Sequence, residues 1–244
     1  MSMQNAWMAT PDSVSLGVRE VQIWRVALDR PQVEVAQLER CLAPDEVART
    51  ARFHFEHLRR RYVVSRGVLR LLLGRTLSVP AGEIRFQYGA KGKPSLATEH
   101  QSDVQFNVAH SHELALVALM RGPTLGVDVE YRRQLDDAER IARRFFSPQE
   151  VEALMLAPAA ERNAAFFRIW TRKEAFIKAT GKGLSQPLTA FNVMAQDGQA
   201  LVHVELDGTV TRWRLIDLVP DPHYGAALAV WTDGEEPVMS KYQF

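Results

Sequence analysis

Three acidic residues and a lysine form the chemically most suggestive pattern in the chain. Asp128 and Glu130 alternate with Val127 and Val129 in the run Leu125-Gly-Val-Asp-Val-Glu130. In an extended strand, residues two apart share a face, so the valines face a core and both carboxylates project from the other side. Two like charges on one face repel, and a strand covered on both sides cannot hide them unpaired. Two arrangements satisfy this pattern. One is a half-exposed edge strand with a wet acidic face. The other is a hard divalent cation held by oxygen ligands, and magnesium typically takes one or two carboxylates together with substrate phosphate oxygens and water.

About forty residues on, Phe166 to Leu184 reads as a helix that ends at Gly181. Glycine best tolerates the left-handed conformation that follows a helix C-terminus. Trp170, Glu174 and Lys178 are spaced i, i+4, i+8 and rise along one side. Phe166, Phe167, Ile169, Ala175, Phe176 and Ile177 supply buried surface, and Trp170 packs to fix the helix. Taken alone, Glu174 and Lys178 could be a solvated ion pair worth about 0.2–0.5 kcal/mol. A second acidic motif in the same chain makes a phosphate-and-metal site the competing reading.

These motifs must be positioned by the rest of the chain. The alternating pattern predicts strands over Glu20–Leu28, Glu83–Gln87, Phe106–Ser111, Leu114–Met120 and Gly126–Tyr131, with Leu114–Met120 apolar enough to be central. Helices are expected over Gln32–Leu42, from Pro44, over Arg59–Leu77 and over Asp137–Phe146. Ser147-Pro-Gln-Glu150 satisfies a capping box, with proline at the first helical position. After Gly183 four segments, Phe191–Met194, Ala200–Leu206, Val210–Ile216 and Tyr224–Trp231, suggest an antiparallel meander. A faint repeat relates Ala43-Pro-Asp-Glu-Val47 to Ser147-Pro-Gln-Glu-Val151, and Val64-Ser-Arg66 to Trp170-Thr-Arg172. The region from Arg49 to Arg75 is rich in arginine, which forms either a solvated helix face or a bidentate cradle for phosphates.

The chain has 244 residues, a net charge of +1 and 24% charged residues, as in an ordinary globular protein. That balance argues against nucleic-acid binding through a global field. The single cysteine, Cys41, permits no internal disulfide and is expected to be a buried structural thiol. The first residues lack a signal-peptide pattern and no apolar run approaches membrane-spanning length, so a cytoplasmic protein with no membrane partner is expected.

Gly-Val-Asp-Val-Glu followed by Trp170-Thr-Arg-Lys-Glu-Ala-Phe-Ile-Lys178 resembles the two signature motifs of the 4′-phosphopantetheinyl transferases, and the chain looks like the stand-alone, surfactin-synthetase-activating (Sfp-like) type. Further likenesses, including Gly92-Lys-Pro94 and Phe106-Asn-Val-Ala-His-Ser111, run from about Ala43 to Leu188. The resemblance implies an α/β (α+β) fold: two similar α/β halves in one pseudo-dimeric, monomeric chain, each a small sheet packed with a long helix. The corresponding division is a loose tail over 1–19, a first half over 20–121, a second half over 122–234 and a polar tail over 235–244.

The implied reaction moves the phosphopantetheine arm of coenzyme A, the co-substrate, onto apo acyl carrier protein or peptidyl carrier domains. Carried over residue by residue, the resemblance makes Asp128, Glu130 and Glu174 the ligands of magnesium, with manganese as the alternative. Glu174 and Lys178 are the catalytic pair. Arg49, Arg61, Lys93, His110, Lys173 and Lys178 are the expected coenzyme A contacts, and Phe176, Thr180, Lys182, Gly183 and Leu184 the carrier-docking residues. One position departs: Glu46 stands where the family has a lysine three residues before Arg49, which removes a cation from the expected 3′-phosphate contact. A magnesium-dependent nuclease and a non-catalytic coenzyme A or carrier-binding module are the rival readings.

Overall fold

The computed structural model describes residues 7–11, 14–183, 186–194, 199–206 and 208–244. Two sheets pack face to face, and a 22-residue helix covers the outer side of each. The first sheet combines β1 (Met8–Ala9), β2 (Glu20–Ala27), β5 (Val104–Ser111), β6 (Leu114–Arg121) and β11 (Val238–Gln243) in the order β1-β11-β2-β6-β5. The second is antiparallel throughout and combines β7 (Leu125–Tyr131), β8 (Gln199–Leu206), β9 (Thr209–Leu218) and β10 (Tyr224–Trp231) in the order β7-β10-β9-β8. A small hairpin, β3 (Phe86–Tyr88) with β4 (Pro94–Leu96), stands apart.

Period two decides which side chains meet. Val21 and Ile23 of β2 and Leu116 and Ala118 of β6 face Val127, Val129 and Leu228 of the second sheet. Trp24 and Val26 point the other way, against Val64, Val68 and Leu72 of α3 (Glu56–Leu77) and Val35 and Leu38 of α1 (Gln32–Glu39). The outer face of the second sheet packs on α6 (Ala159–Thr180) through Phe166, Phe176 and Ile177, joined by Phe146 and by Leu154 from α5 (Pro148–Leu156). α2 (Pro44–Thr50) and α4 (Ala138–Phe145) complete the helices. Among the described residues, no helix is long and apolar enough to cross a membrane.

Both long helices end in a left-handed residue, as expected at Gly181. Ser78 and Gly181 close α3 and α6 in the left-handed region, at φ 57° and 67°. The expected capping box forms, Glu150 accepting from the Ser147 amide at 2.7 Å and Ser147 Oγ from the Glu150 amide at 3.4 Å, and at the start of α2 Glu46 accepts from the Ala43 amide at 2.9 Å.

Four expectations change. The C-terminal stretch is not a loose tail, because β11 pairs in parallel with β2 and ties the end of the chain into the first sheet. The N-terminal segment is partly held as well: Met8 and Ala9 pair with β11, and Val14 is buried. Phe191–Met194 is not a strand; Phe191 and Val193 are buried there, and β7 takes the place beside β10. Cys41 is half-buried rather than enclosed.

Candidate active site

The site forms where β7, the end of β5 and α6 meet. β7 presents Gly126, Asp128 and Glu130 on the face that α6 covers. A Cβ on Gly126 would lie 2.2 Å from the Ala175 carbonyl oxygen and 2.4 Å from the Ala179 amide nitrogen. Only glycine lets the helix backbone approach this closely. The approach brings Glu174 and Lys178, one turn apart, over the strand's carboxylates. Asn107 of β5 fixes the strand on its other side, its Oδ1 accepting from the Val127 amide at 2.9 Å.

Lys178 Nζ donates to Asp128 Oδ1 at 2.7 Å. Asp128 is 4% exposed, and its Oδ2 is buried with no hydrogen-bond partner. Burial pushes the Asp128 carboxyl up to about 6, against the pull of Lys178 and with a smaller push from Glu130. Glu174 is also raised, first by burial and then by the Asp128 charge, while Lys178 opposes both. Glu130 accepts from Ser111 Oγ at 2.9 Å, and the same hydroxyl accepts from the Tyr131 amide. Ser111, absent from the residues expected in the site, was readable only as the last residue of the Phe106–Ser111 motif.

Among the described residues, no three carboxylate, imidazole or thiolate side chains close into a ready metal cluster. Lys178 holds one oxygen of Asp128, and Ser111 one oxygen of Glu130. The donor set nevertheless suits a hard divalent cation: oxygen ligands, an Asp128 carboxyl raised by burial and secondarily by the Glu130 charge, and one buried carboxylate oxygen left without a partner.

Two cavities flank these acids. One of about 570 Å³ is lined by Arg49, Arg61, Tyr62, Arg66, Val108 and His110. The other, about 420 Å³, joins Ser111, Glu130 and Tyr131 to an apolar wall that includes Leu135, Phe166 and Trp170. His112 lines both. Trp170 stacks on Phe166 at 6.0 Å, so it packs as expected and also walls the second cavity. Partial desolvation and then the Lys178 charge lower the His110 imidazole below its ordinary value.

Arg49, Arg61 and His110 therefore share one cleft, but other expected contacts lie elsewhere. Arg61 is held by both oxygens of Asp29, at 2.8 and 2.7 Å, with Glu113 at 3.5 Å. Lys93 Nζ donates to the carbonyls of Ala179 at 2.8 Å and Leu125 at 3.1 Å, and to Thr124 Oγ1 at 3.3 Å. It ties the end of α6 to the start of β7, and burial lowers it to about 8. Lys173 is fully buried; it pairs with Glu150 at 2.8 Å and donates to the carbonyls of Leu188 and Phe191, which takes it out of the cleft. Phe176 is likewise a core residue, 0% exposed against Phe191 and Trp213, and has no surface to offer a carrier. Thr180, Lys182 and Gly183 are half-buried at the end of α6; Leu184 lies outside the described residues.

Comparison with known proteins agrees with this geometry. Residues 124–229 match the family model described as the 4′-phosphopantetheinyl transferase superfamily, and residues 28–121 match that described as 4′-phosphopantetheinyl transferase, N-terminal. The chain is 38% identical to the 4′-phosphopantetheinyl transferase HetI of Nostoc sp., over 98% of this chain and 100% of the relative. It is 30% identical to the 4′-phosphopantetheinyl transferase Sfp of Bacillus subtilis, over 85% of this chain and 91% of the relative. Identity to the 4′-phosphopantetheinyl transferase psf-1 of Bacillus pumilus is 34%, over 72% of each chain. With its acids and lysine gathered beside a basic cleft, and with similarity along almost its whole length, the chain belongs to the 4′-phosphopantetheinyl transferase family and is an enzyme of that class.

Proposed function

We propose that this enzyme transfers the 4′-phosphopantetheine arm of coenzyme A to a serine hydroxyl of an apo acyl carrier protein or peptidyl carrier domain, in a magnesium-dependent reaction that releases adenosine 3′,5′-bisphosphate. The observation that carries this reading is the convergence of Asp128, Glu130, Glu174 and Lys178 beside the cleft of Arg49, Arg61 and His110. A pyrophosphate needs cations along its length and acids only where a metal or a proton is handled.

Asp128, Glu130 and Glu174 would hold magnesium, which supplies charge neutralisation on the pyrophosphate when bound. Arg49 and His110 bind and orient the nucleotide side of coenzyme A. The apolar wall of the smaller cavity, with Trp170 and Phe166, suits the uncharged pantetheine arm and keeps water from it. Glu174 takes the proton from the serine hydroxyl, and its raised affinity for a proton makes it a better base. The serine oxygen forms the new bond to the phosphorus that carries pantetheine. The bond from that phosphorus to the bridging oxygen breaks, and Lys178 stabilises the charge left on the nucleotide phosphate. The end of α6, around the half-buried Thr180, Lys182 and Gly183, is where the carrier docks, since carriers present acidic helical surfaces.

The test is intact-mass spectrometry of an apo carrier protein incubated with the enzyme, coenzyme A and magnesium. A gain of one phosphopantetheine with the wild type and none with Glu174→Gln is expected. No gain on carriers from several pathways would sink the reading.

A further inference from the structure

β5 and β7 meet at the site but belong to different sheets. Two side chains of β5 join them. Asn107 Oδ1 accepts from the Val127 amide at 2.9 Å, and Ser111 Oγ accepts from the Tyr131 amide at 3.1 Å. Both contacts span 20 positions of sequence, so they hold the two strands in one register. Alternate amides of a strand face the same edge, and these two occupy the edge of β7 that β10 leaves open.

Asn107 is 6% exposed, and its contact fixes the register alone. Ser111 reaches further. It is half-buried and lines the 420 Å³ cavity together with Glu130. A hydroxyl has one proton to donate. With the Tyr131 amide on a lone pair of Ser111 Oγ, that proton is directed to Glu130 Oε2, 2.9 Å away. Among the described residues, no other hydrogen bond reaches the Glu130 carboxylate. Asp128 is held by Lys178 of α6, whereas Glu130 is held from β5, a strand of the other sheet. A glutamate has a flexible stem, and without such a partner its carboxylate is free to swing. With Oε2 bound by Ser111, Oε1 remains for a further charge.

Resting on the magnesium reading above, we propose that Ser111 is a positioning residue of the metal site: its hydroxyl, oriented by the Tyr131 amide, holds the Glu130 carboxylate in the direction that binds the cation. The acidic face of β7 is then complete only while β5 lies against it.

The test compares the wild type with Ser111→Ala and Ser111→Thr, and Ser111→Cys, matched in size, serves if Ser111→Ala does not fold. Manganese affinity is read from the loss of the free-ion paramagnetic resonance signal, with saturating coenzyme A and no carrier. Hydrogen-bond partners of metal ligands typically contribute about 10–100-fold, so Ser111→Ala and Ser111→Cys should weaken manganese by about tenfold or more. Ser111→Thr keeps the hydroxyl and should stay within about threefold of wild type. In transfer assays kcat of Ser111→Ala should fall while KM for coenzyme A stays within about twofold. Wild-type manganese affinity in the folded Ala and Cys variants overturns the assignment, as does an equal loss in Ser111→Thr. A raised KM at unchanged kcat also rejects it, because the hydroxyl would then touch coenzyme A itself. A wild type that binds no manganese removes the metal reading and the role of Ser111 with it. Manganese binding without transfer to any carrier would sink the transferase proposal alone, and the manganese affinities would still decide the role of Ser111.

Discussion

The ammonium of Lys178 reaches one oxygen of Asp128 at 2.7 Å and leaves the other oxygen buried without a hydrogen-bond partner. The pair is lopsided. One lysine, about a third exposed, does not offset the desolvation of a carboxylate that is almost fully enclosed and faces Glu130 and Glu174. The residue is held ready for a further positive charge at some cost to the metal-free fold.

That cost predicts the behaviour of Asp128→Asn. The folded carboxyl sits at about 6 against an ordinary 3.8, so the native state binds more protons than the unfolded state between those values. Stability from this group therefore falls as pH rises through about 4 to 6 and stays reduced at neutral pH. Without metal, Asp128→Asn should be more stable than wild type at pH 7.5 by about 1–3 kcal/mol, with the gain fading below pH 4. Transfer should be lost. Denaturant unfolding at the two pH values checks this, and a less stable variant at pH 7.5 would reject it.

Magnesium should act in the opposite direction on the wild type. A cation that binds only the folded state raises the melting temperature with its concentration. Millimolar magnesium should raise the wild-type midpoint and leave Asp128→Asn and Glu130→Gln unmoved. Equal shifts in all three would place the ion elsewhere on the surface.

Gly126→Ala should separate the two elements that build the site. The added methyl would meet backbone atoms of α6 at 2.2 and 2.4 Å, and neither can rotate away. Relief requires α6 to lift from β7, which carries Glu174 and Lys178 off Asp128. Overpacking of this kind costs about 3 kcal/mol or more, and kcat should fall at least about tenfold. An unchanged melting temperature together with an unchanged kcat would refute the close approach.

The parts legible in the sequence were those fixed by local rules. Alternation in Leu125–Glu130 placed Val127 and Val129 inward and both acids together, because a strand's side-chain period is two. Glu150 after Ser147 and the stop at Gly181 follow from helix termini alone. What was not legible depends on distant partners. Lys173 and Lys178 are both lysines on α6, yet one is buried by Glu150, 23 positions upstream, and the other faces Asp128. Nothing near Lys173 distinguishes them. β11 reads as polar because it includes a buried lysine, Lys241, and an exposed valine, Val238; its strand state comes from pairing with β2 at the opposite end of the chain.

Lys173→Met should therefore act on stability and not on the cleft. It leaves Glu150 charged in a fully buried site that retains only its hydrogen bonds from the Ser147 and Val193 amides. Removing one partner of such a pair typically costs about 3–5 kcal/mol. Whatever fraction stays folded should bind coenzyme A within about twofold of wild type, since the ammonium contacts Glu150, Leu188 and Phe191 rather than the cavity. A large loss of coenzyme A affinity at unchanged stability would return Lys173 to the phosphate site.

His110 should make coenzyme A binding proton-linked. The free imidazole is held below its ordinary 6.5 by partial desolvation and by Lys178, so it is neutral at pH 7.5. A bound phosphate favours the imidazolium and raises its pKa in the complex. Between the free and bound values, binding takes up a proton, and affinity must rise as pH falls. The 3′-phosphate itself titrates near pH 6, and Lys178 faces the same ring, so the absolute slope mixes several groups. The difference between wild type and His110→Asn removes what they share. Calorimetry in two buffers of different ionisation heat should find a larger proton uptake by the wild type near pH 6.5. Equal uptake by the two proteins would mean that the imidazole stays neutral in the complex and touches no phosphate.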